Sequence, residues 1–229
     1  MSNLKILPVR KLKEPKRKKK INPILPQPPF LSCLAAGVAS GKSTFVLNAI
    51  YRFYPKYFEQ VFWISPSVNN DLTTWPVRQD QTITLISDNL DQIDQIILGI
   101  IEQQQEDQKR DSKMDDVLII LDDCLGYLRA KGVERIFGKF RHWKLSFFIC
   151  VQNFKALPVT CRYNCQYWFI WRLNSKKELA KITEEMEQTF PNFLQYYNEG
   201  TKKDYSFIYC DMRKQIIRER LDGPILYQK

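Results

Sequence analysis

Residues 30–44 read FLSCLAAGVASGKST. Phe30–Ala35 is an apolar run of strand length, and Ala36–Gly41 is a turn of small residues. A helix is expected from about Lys42 to Phe53, with Phe45, Val46, Ala49, Ile50 and Phe53 on one face. Such a strand-to-helix turn points backbone N–H groups inward, where they hold phosphate oxygens. The usual pattern is GxxxxGK[ST]; Ala36 takes its first position here, with Gly37 beside it. The expected phosphate cradle is Gly37, Val38, Ala39, Ser40, Gly41, Lys42, Ser43 and Thr44. Gly41 lets the backbone approach closely, Lys42 brings positive charge to the β- and γ-phosphates, and Ser43 offers a hydroxyl to Mg²⁺. The following helix directs its N-terminal partial charge at the same anion.

Further apolar runs at Val61–Ile64, Thr82–Ile86, Val117–Leu121, Leu145–Val151 and Trp168–Trp171 read as strands, and Tyr205–Cys210 is expected to close the sheet. Between them, Leu90 to Ile101, Tyr127–Phe140 and Ser175–Met186 keep helical spacing. Residues 66–81 read as an irregular excursion and residues 102–113 as a helix end plus surface loop; both are candidate contact loops. Alternation of strands and helices predicts an α/β fold, a mostly parallel sheet flanked by helices on both faces. Ligands of such sheets sit at the carboxyl ends of the strands.

Two more motifs fall at strand ends of that kind. The run VLIILDD (117–123) is a buried strand delivering two carboxylates. Asp122 is placed to hold the Mg²⁺ shell, and Asp123 to polarise an attacking water as general base. A phosphotransferase has less need of that second acid, because its nucleophile arrives with the substrate. The next strand, Leu145–Val151, ends in Gln152-Asn153, and Gln152 is expected to reach the γ-phosphate and the water. Arg141 precedes this strand and is a candidate arginine finger projecting into a neighbouring subunit; Arg162 competes for the role. The aromatic group Tyr163, Tyr167, Trp168, Phe169 and Trp171 reads as strand packing.

Composition sets the bounds. The 229 residues are 44% hydrophobic, enough for one domain with a sizeable core and too much for a disordered chain. Lys and Arg number 35 against 25 acids, but residues 1–20 alone carry a net of +8. The remainder is nearly neutral, so the basic character belongs to an appendage. The expected organisation is a flexible basic, Pro-rich arm over 1–28, a phosphate-loop domain over 29–213 and a tail over 214–229. The arm leads into Pro23, Pro26, Pro28 and Pro29, not an apolar secretory segment, and no membrane span is read. With one histidine, His142, a multi-histidine metal site is excluded, and Cys161 and Cys165 lack a partner pair for tetrahedral zinc.

The loop Gly37–Thr44, the strand VLIILDD and the run RHWKLSFFICVQNFKALPVTCRYN (141–164) together resemble the genome-packaging ATPases of large eukaryotic DNA viruses, virophages and Polinton-like elements, in the FtsK–HerA branch of P-loop motors. The last run is the most specific: Arg141-His142, a buried strand, Gln152, then Leu157-Pro158 and Arg162-Tyr163-Asn164. The resemblance covers roughly residues 29–213. It implies a P-loop NTPase core with an extra strand between the Walker A and Walker B strands. It implies ATP hydrolysis with Mg²⁺, coupled to pumping double-stranded DNA into a preformed capsid by a homo-oligomeric ring, with a capsid or portal protein as partner. The DNA would be held by its phosphate backbone, without sequence preference. The expected setting is soluble and intracellular, in the host cytoplasm or nucleus, or with the virion. Ala36 and the short acid Asp123 depart from the family pattern. Two other readings stay open on the residues alone: a nucleoside or nucleotide kinase, and a DNA-tethering protein with a degenerate nucleotide site.

Overall fold

The computed structural model describes residues 21–69, 74–110, 113–127 and 130–229. The charged arm expected over residues 1–20 and parts of both candidate contact loops lie outside those residues. Strands β1 (Leu31–Ala35), β2 (Gln60–Ile64), β3 (Ile83–Ile86), β4 (Val117–Asp122), β5 (Leu145–Val151), β6 (Tyr167–Trp171), β7 (Phe207–Asp211), β8 (Ile216–Glu219) and β9 (Ile225–Gln228) form one sheet. Its order is β3-β2-β4-β5-β1-β6-β7-β8-β9. The first six strands in that order are parallel, and β7, β8 and β9 continue antiparallel. β5 thus lies between the phosphate-loop strand β1 and the acidic strand β4, where the resemblance expects the extra strand.

The helices are α1 (Lys42–Asn48), α2 (Trp75–Arg78), α3 (Ile93–Lys109), α4 (Ala130–Lys139), α5 (Val159–Asn164), α6 (Lys176–Glu187) and α7 (Phe193–Gly200). The period-two side-chain alternation of each strand divides the apolar residues between two faces. Val117, Ile119 and Leu121 of β4 join Ile97 of α3, Phe137 of α4, Met186 of α6 and Phe193 of α7 on one face. Leu118 and Ile120 join Phe45 and Val46 of α1 and Val77 of α2 on the other. Because both faces are covered, every residue of β4 and β5 is buried, and apart from Ser146 and the terminal Asp122 these strands read as apolar runs.

The structure revises three sequence expectations. The sheet does not end near Cys210: Ile216–Glu219 and Ile225–Gln228 pair as a hairpin on β7, so most of the expected tail belongs to the sheet. Residues 21–28 are docked. Tyr54 Oη donates to Pro26 O at 2.7 Å, Tyr209 Oη donates to Ile24 O at 2.9 Å, and Tyr167 Oη accepts from Gln27 N at 3.3 Å. Three tyrosine hydroxyls thereby satisfy a Pro-rich segment whose composition reads as linker. Helix α3 supplies the helix end expected within 102–113 and runs to Lys109; Gln104 is buried there, and its amide donates to Asp115 O at 2.7 Å and Trp143 O at 3.2 Å. Of the expected aromatic core, Tyr163 stands apart on the surface, while Tyr167, Trp168, Phe169 and Trp171 are buried. Among the described residues, no helix is long and apolar enough to cross a membrane.

Candidate active site

The phosphate loop leaves the sheet beside β5, because Ala36 N donates to Val151 O at 3.0 Å and so prolongs the β1–β5 pairing past the last strand residue. Two residues then turn left-handed, Ala39 with φ 55° and Gly41 with φ 94°. At Gly41 the requirement is conformational: a Cβ would meet only Tyr205 Cδ1 at 3.7 Å, an ordinary contact. At Ala39 an L-residue carries the same turn at a cost of about 1 kcal/mol, a strain typical of ligand cradles. Lys42 is buried, and its Nζ donates to Ala36 O at 3.2 Å across the loop. The ammonium is therefore held within the concavity the backbone encloses, while Ser43 and Thr44 open the first turn of α1 beside it.

β4 brings its two carboxylates to the same place by different routes. Asp122 is the last strand residue and is buried, opposite Cys150 in the β4–β5 register. Asp123 leaves the strand in a left-handed turn with φ 52°, its N–H donating to Cys150 O at 3.2 Å. That turn redirects its exposed carboxylate toward Gln152, whose Nε2 donates to Asp123 Oδ2 at 2.6 Å. The loop, Asp122, Asp123 and Gln152 line one cavity of about 990 Å³. The neighbouring thiols are inert. Burial, then the Asp122 charge, pushes Cys150 well up and pushes Cys124 up to about 12, so both stay protonated at neutral pH.

Ser43 and Asp122 are hard oxygen donors, the kind Mg²⁺ takes. Among the described residues no group of three or more His, Cys, Asp or Glu side chains is placed to hold a metal ion. A site built from one hydroxyl and one carboxylate fits Mg²⁺, which keeps several waters and shares phosphate oxygens instead of entering an all-protein cage.

Neither candidate finger joins its own chain's cavity. Arg141 lies in the turn Phe140–Trp143 before β5, exposed, its guanidinium 5.7 Å from the Phe140 ring centroid. The seven residues of β5 separate it from Gln152 by about 20 Å. Arg162 lies over the Phe154 ring at 5.0 Å, with its Nε 3.5 Å from Glu185 Oε2, an ion pair without hydrogen-bond alignment. The cavity also has walls that the sequence reading left out: Phe53 after α1, Tyr205 and Phe207 at β7, and Arg220–Asp222 in the β8–β9 turn.

A parallel sheet with the phosphate loop after one strand, an acid pair after another and a carboxamide strand between them defines a P-loop NTPase fold of the additional-strand type. The chain matches the family model described as Poxvirus A32 protein over residues 18–212, and belongs to that family. It is 27% identical over 127 residues to the uncharacterized protein 075L of Invertebrate iridescent virus 6, a match covering 53% of this chain and 49% of that relative, about half its length. The fold is similar to that of the genome packaging NTPase B204 from Sulfolobus turreted icosahedral virus 2, solved with ATP-gammaS, with a TM-score of 0.57 at 14% identity over 84% of this chain and 96% of that one. B204 described as the DNA-packaging ATPase from Sulfolobus Turreted Icosahedral Virus gives a TM-score of 0.58 at 14% identity, over 83% and 96% of the two chains. EssC (ATPases 2 and 3) from Geobacillus thermodenitrificans gives 0.54 at 10% identity, over 67% of this chain and 34% of that one.

Proposed function

We propose that this chain is an ATP-hydrolysing subunit of a homo-oligomeric ring that drives double-stranded DNA into a preformed capsid. The observation that carries the hydrolytic part is the Asp123–Gln152 pair, joined at 2.6 Å and facing the same cavity as the phosphate loop. Membership of the A32 family and the fold shared with B204 support the packaging part.

In this reading Lys42 and the loop N–H groups bind the β- and γ-phosphates. Ser43 and Asp122 hold Mg²⁺, which when bound neutralises charge on the phosphate oxygens. Asp123 accepts the proton of the attacking water, and Gln152 orients that water and senses the γ-phosphate. Arg141 acts on the phosphates of a neighbouring subunit; lying about 20 Å from its own cavity, it has no role within its own site. DNA is held through its phosphates, independent of sequence, with the net +8 of residues 1–20 contributing. The capsid or portal protein is the second partner, and the work is done in the infected cell, in cytoplasm or nucleus.

ATP hydrolysis measured with and without double-stranded DNA, at two salt concentrations, tests this reading. Turnover stimulated by DNA, suppressed by salt and abolished by Lys42→Ala is expected. Phosphoryl transfer to a small acceptor, indifferent to DNA, would favour a kinase. DNA binding without turnover by the assembled ring would favour a tether.

A further inference from the structure

The cavity extends past the phosphate loop in both directions, and the sheet order says which end is which. β1 lies between β5 and β6. On the β5–β4 side stand Gln152, Asp123 and Asp122, where a terminal phosphate must lie to be cleaved. The rest of a nucleotide must then run the other way, toward β6, β7 and the β8–β9 turn. There the cavity is walled by Phe53, Tyr205, Phe207, Arg220, Leu221 and Asp222.

That wall is built. Tyr205 is 75% exposed, and its φ of 57° turns it out of the strand entry. Its ring edge lies 3.7 Å from where a Gly41 Cβ would be, so the ring stands directly against the phosphate loop. Arg220, lining the same cavity, also has a left-handed backbone, φ 55°, fixed by its N–H donating to Phe207 O at 2.9 Å. Its guanidinium is oriented by two parallel hydrogen bonds to Asp222, Nε to Oδ1 and Nη2 to Oδ2, each 3.2 Å. Those bonds hold the Asp222 carboxyl below its ordinary range, so the fork persists at neutral pH. A planar cation and a planar aromatic ring, both on fixed backbones and both on the far side of the loop from the acids, offer two π-stacking surfaces.

We propose that Tyr205 and the Arg220–Asp222 fork form the nucleoside subsite of this cavity, stacking the base and so selecting a nucleoside triphosphate over a bare polyphosphate. This rests on the phosphate-loop reading above. Stacking on an aromatic or guanidinium plane changes affinity about tenfold per contact.

The test measures binding of ATP and of inorganic tripolyphosphate to the full chain and to Tyr205→Asn and Arg220→Asn. Asparagine tolerates the left-handed backbone at both positions, so the turns survive, and thermal melting verifies it. The expected result is ATP binding weakened about tenfold by each variant, with tripolyphosphate binding unchanged. Lys42→Ala weakens both ligands. Unchanged ATP binding in both variants overturns the subsite while leaving the phosphate-loop reading intact. Equal weakening of ATP and tripolyphosphate by the variants also overturns it. A wild-type chain that binds neither ligand overturns the phosphate-loop reading and this proposal with it.

Discussion

The side-chain amide of Gln152 donates to Asp123 Oδ2 at 2.6 Å, tying the end of β5 to the turn that follows β4. The two residues are 29 apart in sequence and meet because β4 and β5 are parallel neighbours whose carboxyl ends coincide. Asp123 reaches this position only through its left-handed turn. The carboxylate thus arrives already oriented, with one oxygen held, in the lining of the cavity.

Removing that hold should act on turnover more than on affinity. Gln152→Ala is expected to lower kcat at least about tenfold while ATP binding stays within about twofold. Gln152→Glu places a second carboxylate against Asp123. Like charges raise the pKa of the pair, and the base works only when deprotonated, so the rising limb of the rate–pH profile should move to higher pH. Steady-state kinetics across pH verifies both.

Two truncations separate the arm from its docked root. Deleting residues 1–20 should leave the melting temperature unchanged. Deleting 1–28 strips Leu25, Pro26 and Pro28 from the core and empties the acceptors of Tyr54 and Tyr209, and should lower it markedly. Tyr209→Phe alone should cost about 1 kcal/mol, one hydrogen bond lost.

The sequence made the strands that carry the candidate site legible for a physical reason. β1, β4 and β5 are buried on both faces, so each is an apolar run broken at most by one small buried serine (Ser32 in β1, Ser146 in β5), and the polar residues ending each run stand out. The loop 37–44, Asp122, Asp123 and Gln152 all followed from that contrast, and the structure brings them to one cavity. β8 and β9 were hidden because Ile-Ile-Arg-Glu and Ile-Leu-Tyr-Gln are four residues long and half-exposed, with no periodicity to detect. Arg220 was hidden with them, since its place in the cavity depends on that hairpin, while Tyr205 was read only as the start of a closing strand. The docking of residues 21–28 was hidden because its partners, Tyr54, Tyr167 and Tyr209, are distant in sequence.

Gly200 ends α7 where it packs on β7. A Cβ there would overlap Cγ2 of Ile208, which is fully buried, and would lie 3.1 Å from Leu226 Cδ1. Gly200→Ala should therefore destabilise by about 1–3 kcal/mol, read by denaturant unfolding, against the usual gain from replacing glycine in a helix.

All six cysteines are free and buried, and the thiols of Cys33, Cys150 and Cys165 are pushed well up by burial. Cys161 is pushed up to about 12 by the same cause. A thiol reagent at pH 8 should label none of them in the folded chain and all of them after unfolding.

The most direct test of hydrolysis at this site is phosphate release by the assembled protein with Asp123→Asn, scored beside ATP binding. The substitution keeps the shape, tolerates the left-handed turn and removes only the ability to take a proton. ATP binding like wild type with phosphate release down at least about a hundredfold is predicted. Phosphate release within about threefold of wild type would mean that Asp123 is not the base and would contradict the hydrolytic role assigned to it.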